Sequence, residues 1–390
     1  MRDRSAGPAS AQPRLAEAVG RLGTESAFAV LGRARQLEAQ GRSIVHLEIG
    51  EPRFPTPAHV GDAAAAAIRA GETGYCPAAG LPELRAAAAR SLGTARGVDV
   101  APERVLVGTG AKPFLLFTVL ATCEPGDEVL LPDPGFPIYD SAVRWAGATP
   151  VPYTGPEALA AGVGPRTKLV ILNSPNNPTG AVMGADELAA IGERVLASDA
   201  WVLSDEVYWR LLHDAEHASI ASRPGLLDRT VLLDSLSKTY AMTGWRCGFA
   251  CVPEALVDPI ERFFVNATSC VPPFVQRGAI AALEGPQDAV HAMVAELKTR
   301  RDLVVAGLNA LPGVSCATPR GAFYAFPDVT GVGLDADALA DRLLEQAGVA
   351  VLAGGAFGAA GAGHLRLSYG TAREDLEAGL DRIGSLLAAL

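Results

Sequence analysis

The chain has 390 residues, of which 49% are hydrophobic and 19% charged, so it can bury a large core and is not globally disordered. Its formal net charge of −10 disfavours general binding to nucleic acid or to an anionic membrane. No apolar run approaches the roughly 18–20 residues that span a bilayer, and the arginines near the start precede no apolar segment of a signal peptide.

The first hundred residues are predicted to be mainly helical. A first helix ends near Gly41, and a short strand follows at 44–49. Two alanine-rich helices are predicted at 57–70 and 82–92, separated by a loop at 71–80. We expect residues 1–49 to form an N-terminal helix and arm that contributes to a smaller domain.

From residue 104 onward, short apolar strands alternate with helices. This alternation predicts an α/β fold, in which helices flank both faces of a mixed, mostly parallel sheet. The predicted strands lie at 104–107, 128–131, 149–152, 168–172, 201–204, 230–234 and 249–252, and the helices at 113–122, 138–146 and 186–198. Residues 50–285 are therefore expected to form a large domain.

After residue 286 the pattern becomes α+β, which predicts a smaller domain at 286–390. Its predicted elements are helices at 286–311, at 336–346 and from Arg373 onward, and strands near 323–326, 349–352 and 364–368.

The cysteines and histidines predict no metal site. The six cysteines form no C-x-x-C pair and no disulfide framework, which is typical of scattered thiols in a reducing, cytoplasmic compartment. His213 and His217 lie four residues apart, a spacing that also suits metal ligands on one helix face. Their context favours a polar turn after a strand instead.

Polar residues follow several predicted strands. In an open α/β sheet, ligands bind beyond the carboxyl ends of the strands, so these residues are expected at one rim. They include an amine, carboxylates, amides, a phenol and groups suited to phosphate. The segments concerned are 110–112, 134–136, 173–180, 205–208 and 235–238, to which Arg246 is added.

On its motifs, the chain resembles the class I/II aminotransferases, aspartate aminotransferase-like members of the fold-type I pyridoxal-phosphate-dependent transferases. The motifs are IGEP at 49–52, YCPAAGLPELR at 75–85, NSPNNPTG at 173–180, SDEVY at 204–208, SLSKTYAMTGWRCG at 235–248 and RLSYG at 366–370. The resemblance implies pyridoxal 5′-phosphate as cofactor. It also implies transfer of an amino group between an L-amino acid and a 2-oxo acid.

Three catalytic residues follow from the resemblance. Lys238 resembles the Schiff-base lysine, and burial together with nearby Arg246 is expected to lower its pKa so that it becomes nucleophilic. Asp205 ends a buried strand and needs a cationic partner, which the resemblance supplies as the protonated pyridine nitrogen of the cofactor. A structural ion pair is the alternative. Tyr208, the third catalytic residue, resembles a donor to the ring 3′-oxygen, and the cofactor-binding Asn177 resembles a second donor to it.

The rest of the cofactor site is also implied by the resemblance. Phe136 and Val207 resemble the residues on the two faces of the ring. The phosphate is expected at a helix N-terminus, where free N–H groups and the helix dipole attract anions. The residues expected around it are Gly110, Ala111, Lys112, Ser235, Ser237 and Arg246.

Arg366 resembles the arginine that binds the substrate α-carboxylate, because a planar guanidinium matches a carboxylate with two parallel hydrogen bonds. Asn177 and the backbone of Gly50 would complete this contact. Tyr75 resembles the tyrosine that crosses from a partner subunit to the phosphate, which implies a homodimer.

The sequence indicates the residues that would recognise the substrate side chain less clearly than those that would bind its α-carboxylate. Some bacterial aspartate aminotransferases bind the distal carboxylate with a lysine on the helix after the first phosphate loop. The predicted helix 113–122 contains no lysine or arginine, which weakens the case for an aspartate-specific enzyme. Phe28, Tyr75 and Phe136 indicate a partly apolar pocket, although core packing explains such residues equally well.

Two alternatives stay open at this point. The same cofactor chemistry also serves β-lyases, cyclases and oxidases, because the protein only steers which bond breaks. The second alternative is a non-catalytic, pyridoxal-phosphate-binding regulator. The presence of Lys238, Asp205 and Arg366 argues against it, as does a preceding segment with one helix rather than a helix-turn-helix.

Overall fold

The computed structural model describes residues 14–390. The helices are α1 Ser26–Ala39, α2 Ala58–Arg69, α3 Pro82–Arg96, α4 Lys112–Thr122, α5 Ile138–Ala146, α6 Pro156–Gly162, α7 Ala185–Leu196, α8 Leu236–Thr239, α9 Glu254–Ala267, α10 Pro273–Glu284, α11 Asp288–Asn309, α12 Ala336–Arg342 and α13 Arg373–Leu387. The strands are β1 Val45–His46, β2 Val105–Gly108, β3 Glu128–Pro132, β4 Thr149–Tyr153, β5 Thr167–Asn173, β6 Trp201–Asp205, β7 Thr230–Ser235, β8 Gly248–Cys251, β9 Tyr324–Ala325, β10 Val349–Ala350, β11 Leu352–Ala353 and β12 Leu365–Ser368.

A seven-stranded sheet in the order β2-β8-β7-β6-β5-β3-β4 forms the centre of the fold. Strand β8 is antiparallel to both of its neighbours, and every other pair is parallel, so the predicted mixed, mostly parallel sheet is confirmed. Successive side chains of β7 enter opposite cores: Val231 and Leu233 pack in one, and Leu232 in the other. The sheet is therefore buried on both faces.

Two smaller sheets bring the start of the described chain against its end. Strands β11, β12 and β9 form an antiparallel sheet, while β1 pairs in parallel with β10, with Val45 opposite Val349. Helix α1 packs on the same region, because Ala34 shares a buried cluster with Leu344 and Ala350. The division at 49/50 and 285/286 stays a prediction.

Several predicted elements differ from the observed ones. The predicted strand 349–352 is two strands, because Val349 pairs with β1 whereas Leu352 pairs with Arg366 of β12. The predicted strand 44–49 shortens to β1, and the predicted helix 336–346 continues beyond α12 as a π-helical turn, Leu343–Ala347. Helices α6, α8, α9 and α10 are not predicted from the sequence.

The main sheet places its polar residues at one rim. Strands β5, β6 and β7 end at Asn173, Asp205 and Ser235, and the short helix α8 starts directly after β7. Strand β2 ends at Gly108, four residues before α4 starts. Among residues 14–390, no helix combines the length and the apolar character that crossing a bilayer requires.

Candidate active site

A cavity of about 560 Å³ lies at this rim, within the usual size range of small-molecule sites. Two of the predicted site residues do not line it. Gly110 lies against the guanidinium of Arg246, and Tyr75 is 93% exposed on the surface. The predicted residues that do line the cavity are Gly50, Ala111, Lys112, Phe136, Asn177, Asp205, Val207, Tyr208, Ser235, Ser237, Lys238, Arg246 and Arg366.

The carboxylate of Asp205 is buried at the end of β6. Its Oδ2 accepts a hydrogen bond of 2.7 Å from the Tyr139 hydroxyl, and its Oδ1 accepts one of 3.4 Å from the Val207 N–H. Burial raises the pKa of Asp205 to about 6 in spite of these bonds. Since no Lys, Arg or His among residues 14–390 forms an ion pair with Asp205, the site suits a cationic ligand group.

We expect Asp205→Asn to stabilise the ligand-free protein above pH 6. The raised pKa means that the folded form binds more protons than the unfolded form between about pH 4 and pH 6. Stability therefore falls as pH rises through this window, by about 3 kcal/mol in total. Urea unfolding of both proteins at pH 5 and pH 8 measures this difference. A variant that is less stable than the wild type at pH 8 would contradict the burial argument.

Lys238 lies on α8 with its side chain partly buried. Its Nζ donates a 2.5 Å hydrogen bond to the carbonyl oxygen of Gly50. Burial lowers the pKa of Lys238 to about 8, and the positive charges of Arg366 and Lys112 contribute. The arginine whose charge contributes most to this lowering is Arg366, whereas the sequence pointed to Arg246. At pH 7 about a tenth of the amine is thus neutral and nucleophilic, far more than for an ordinary lysine.

Arg366 is buried between two aromatic rings, with its guanidinium carbon 4.7 Å from the Tyr324 ring centroid and 4.9 Å from that of Phe357. Its Nη1 donates to Asn177 Oδ1 at 3.2 Å, and its Nη2 donates to the carbonyl oxygen of Glu48. The buried Nε has no acceptor among the described residues. A buried N–H without a partner is costly, so this group is suited to a ligand carboxylate.

Tyr208 forms a hydroxyl pair with Tyr324, with the two oxygens 2.8 Å apart. Burial raises the pKa of Tyr208, and the neighbouring Tyr324 raises it further, so the phenol stays neutral and can donate a hydrogen bond. Tyr324, like Tyr139, was not predicted as a site residue. Each looks like an ordinary core aromatic in the sequence, and no local motif marks its contact.

Backbone N–H groups, two serines and an arginine form the part of the site suited to phosphate. Gly110 precedes α4 with φ of +89°, and a Cβ atom there would lie 2.4 Å from Nη2 of Arg246. Glycine is therefore required for this close approach. Ser235 Oγ accepts a 3.2 Å bond from the Ser237 N–H and donates to Ser237 Oγ at 3.0 Å. A helix start beside a guanidinium favours a bound anion.

Lys112 is the first residue of α4, so the predicted start of this helix at 113 was one residue late. The helix after the first glycine turn does carry a lysine, and that lysine lines the cavity. Its Nζ donates to Glu25 and lies 5.6 Å from the ring centroid of Phe136 and 5.7 Å from that of Phe28. The composition of this helix therefore does not weaken the case for an aspartate-specific enzyme.

The two histidines singled out by their spacing contact different partners. His213 Nε2 lies 2.9 Å from the carbonyl oxygen of Ala322, whereas His217 Nε2 lies 3.2 Å from Glu206 Oε2. Within the described part of the chain, no three His, Cys, Asp or Glu side chains gather into a possible metal site.

A family model described as aminotransferase class I and II matches residues 42–383. The chain is 39% identical to the aspartate/prephenate aminotransferase of Cereibacter sphaeroides, covering 96% of this chain and 99% of the relative. It is 40% identical to the arginine–pyruvate transaminase of Pseudomonas aeruginosa, covering 92% and 93%. The solved aspartate aminotransferase from Thermus thermophilus with maleate has a TM-score of 0.91 and 36% identity, covering 96% of this chain and 100% of that one.

Proposed function

The chain belongs to the class I and II aminotransferase family, and from this membership we propose how its own residues carry out transamination. It is a pyridoxal-phosphate-dependent aminotransferase, which moves an amino group between an amino acid and a 2-oxo acid. One observation carries the proposed roles. A lysine of lowered pKa and a buried arginine with an unpartnered Nε line the same cavity.

The described residues fit the cofactor. When bound, pyridoxal phosphate supplies an aldehyde that links covalently to amines and a ring that accepts electrons from the carbon whose bond breaks. Asp205 would hold the protonated ring nitrogen, because it is a buried carboxylate without a cationic partner among residues 14–390. Arg246 and Ser235, with the N–H groups at the start of α4, would hold the phosphate. Tyr208 would donate to the ring oxygen.

Lys238 is proposed to be the catalytic amine. Its lowered pKa makes the neutral form available, and that form takes the proton from the substrate α-carbon as a general base. Arg366 binds the carboxylate that the amino acid and the oxo acid share, with Asn177 holding its Nη1. One arginine therefore serves both halves of the reaction.

We expect Arg366→Lys to lower kcat/KM about 100-fold for donors and acceptors alike. Lysine keeps the charge but cannot present two parallel N–H groups, which removes about 3 kcal/mol of charge-assisted hydrogen bonding. Steady-state kinetics with one donor and one acceptor measure the effect. Arg373→Lys is the matched control, because Arg373 is exposed and pairs with Glu377. A loss confined to one half-reaction would contradict a shared carboxylate contact.

We also propose that the active unit is a homodimer. Tyr75 is 93% exposed on its own chain, as a residue that completes a partner's site would be before assembly. Sedimentation should therefore give twice the chain mass, and Tyr75→Phe should weaken cofactor binding about tenfold through loss of one hydrogen bond to the phosphate. A fully active monomer would contradict this proposal.

A cytoplasmic location is proposed as well. All six cysteines are free thiols, and burial raises the pKa of Cys247 to about 12, which keeps this thiol protonated. Fractionation of cells that express the full chain tests the location, and recovery outside the cytoplasmic fraction would contradict it.

A further inference from the structure

The cavity contains an ion pair to which the proposed mechanism gives no role. Lys112, at the start of α4, donates a hydrogen bond from Nζ to Oε1 of Glu25, the residue before α1. Both side chains line the cavity. The Glu25 side chain is 17% exposed and that of Lys112 is 44% exposed, so the carboxylate is the more enclosed member of the pair.

The surroundings of this pair are apolar. The Phe28 and Phe136 rings approach Lys112, and Leu31 and Leu115 also line the cavity. Besides Glu25 and Asp205, the cavity is lined by the carboxylate of Glu51, which accepts a hydrogen bond from the Thr243 hydroxyl. Apart from the ion pair of Glu25 and Lys112, the cavity wall around these rings therefore offers a substrate side chain mainly hydrocarbon surface.

A lysine in a substrate cavity would ordinarily attract an anionic side chain. Here a second substrate carboxylate can reach Lys112 only by displacing Glu25, and otherwise it must lie close to the Glu25 carboxylate. Like charges held side by side next to an enclosed carboxylate repel each other. A cationic side chain would conversely have to separate Glu25 from Lys112 and leave that ammonium without its partner.

We propose that Glu25 is a specificity-determining residue that occupies Lys112 and thereby restricts the enzyme to substrates with uncharged, mainly apolar side chains. This inference rests on the proposed function, in which Arg366 binds the α-carboxylate of every substrate. It applies to both partners of the reaction, so the acceptor is a 2-oxo acid without a second carboxylate. Pyruvate is preferred over 2-oxoglutarate.

The test compares the holoenzyme with its Glu25→Gln variant, using phenylalanine and glutamate as donors. In the wild type, kcat/KM for phenylalanine exceeds that for glutamate at least about tenfold. In Glu25→Gln, Lys112 is freed, and the ratio of glutamate to phenylalanine kcat/KM rises about tenfold, which corresponds to about 1.4 kcal/mol. Glu17→Gln is the matched control, since Glu17 is exposed in the same N-terminal segment and should leave the ratio unchanged.

Two further variants keep the test decisive. Glu25→Asp shortens the side chain, so it should shift the ratio in the same direction even if Glu25→Gln does not fold. The double variant Glu25→Gln/Lys112→Gln should return the ratio to a low value, because the freed ammonium is then absent. A wild type that prefers glutamate or arginine, or a ratio that Glu25→Gln leaves unmoved, would overturn the inference while the proposed function stands. Failure of the function itself looks different, because every donor is then inert.

Discussion

Replacing Lys238 with alanine is expected to lower kcat/KM by about 10⁴-fold or more, the scale seen when a principal catalytic group is removed. The amine is both the covalent attachment point and the base that takes the α-proton, and Lys112, the other lysine that lines the cavity, is paired with Glu25. The visible absorbance band of the lysine-linked cofactor should disappear as well. A coupled transamination assay and an absorbance spectrum of the purified variant measure the two losses.

Lys298→Ala is the control for Lys238→Ala, because Lys298 is a half-exposed lysine paired with Asp214. Its activity should stay within about twofold of the wild type, as expected for a surface ion pair. Added methylamine should partly restore turnover to Lys238→Ala, since a small free amine can replace the missing base. A Lys238→Ala variant with full activity and an unchanged spectrum would contradict the role of Lys238 as attachment point and base.

Asp205→Asn in the holoenzyme should lower kcat about 10³-fold. Removing one partner of a buried ion pair leaves the other charge uncompensated, at a cost of about 3–5 kcal/mol, and here that partner is the protonated ring nitrogen. The carboxylate is enclosed at the end of β6, so water cannot substitute for it. Stopped-flow measurement of the donor half-reaction reports this loss directly.

Tyr139→Phe separates the charge of Asp205 from its positioning. This variant removes the 2.7 Å hydrogen bond but keeps the carboxylate, so it should cost at most about tenfold in kcat. The Asp205→Asn variant should combine very low activity with a ligand-free form that is more stable than the wild type above pH 6. Activity within tenfold of the wild type in Asp205→Asn would show that the carboxylate does not hold the ring.

The site residues that the sequence predicted are those that stand in local motifs at strand ends, such as Asp205 and Lys238. The residues that it missed contact the site only through the fold. Tyr139 reaches Asp205 across 66 residues of chain, Tyr324 reaches Tyr208 across 116, and Glu25 reaches Lys112 across 87. A contact between residues so far apart in the chain leaves no local sequence pattern, because it forms only when the fold brings two distant segments together.

The elements of the fold divide in the same way between those with a local sequence pattern and those that depend on distant partners. The strands of the main sheet are buried apolar runs, and their alternation with helices was predictable from the sequence. Strands β10 and β11 looked like one strand, because their separation depends on two different partners, β1 and β12. Helix α9 was missed because Pro259 lies within it, and a proline normally ends a helical pattern.

The pairing of β1 with β10 also determines the order in which the cavity can be completed. During synthesis, Val45 leaves the ribosome about 300 residues ahead of Val349, its partner in the ladder. Helix α1, which packs against Ala350, can therefore dock only after nearly the whole chain has been synthesised. Glu25 directly precedes that helix, so the side chain that we propose to select the substrate is among the last parts of the cavity to reach its position.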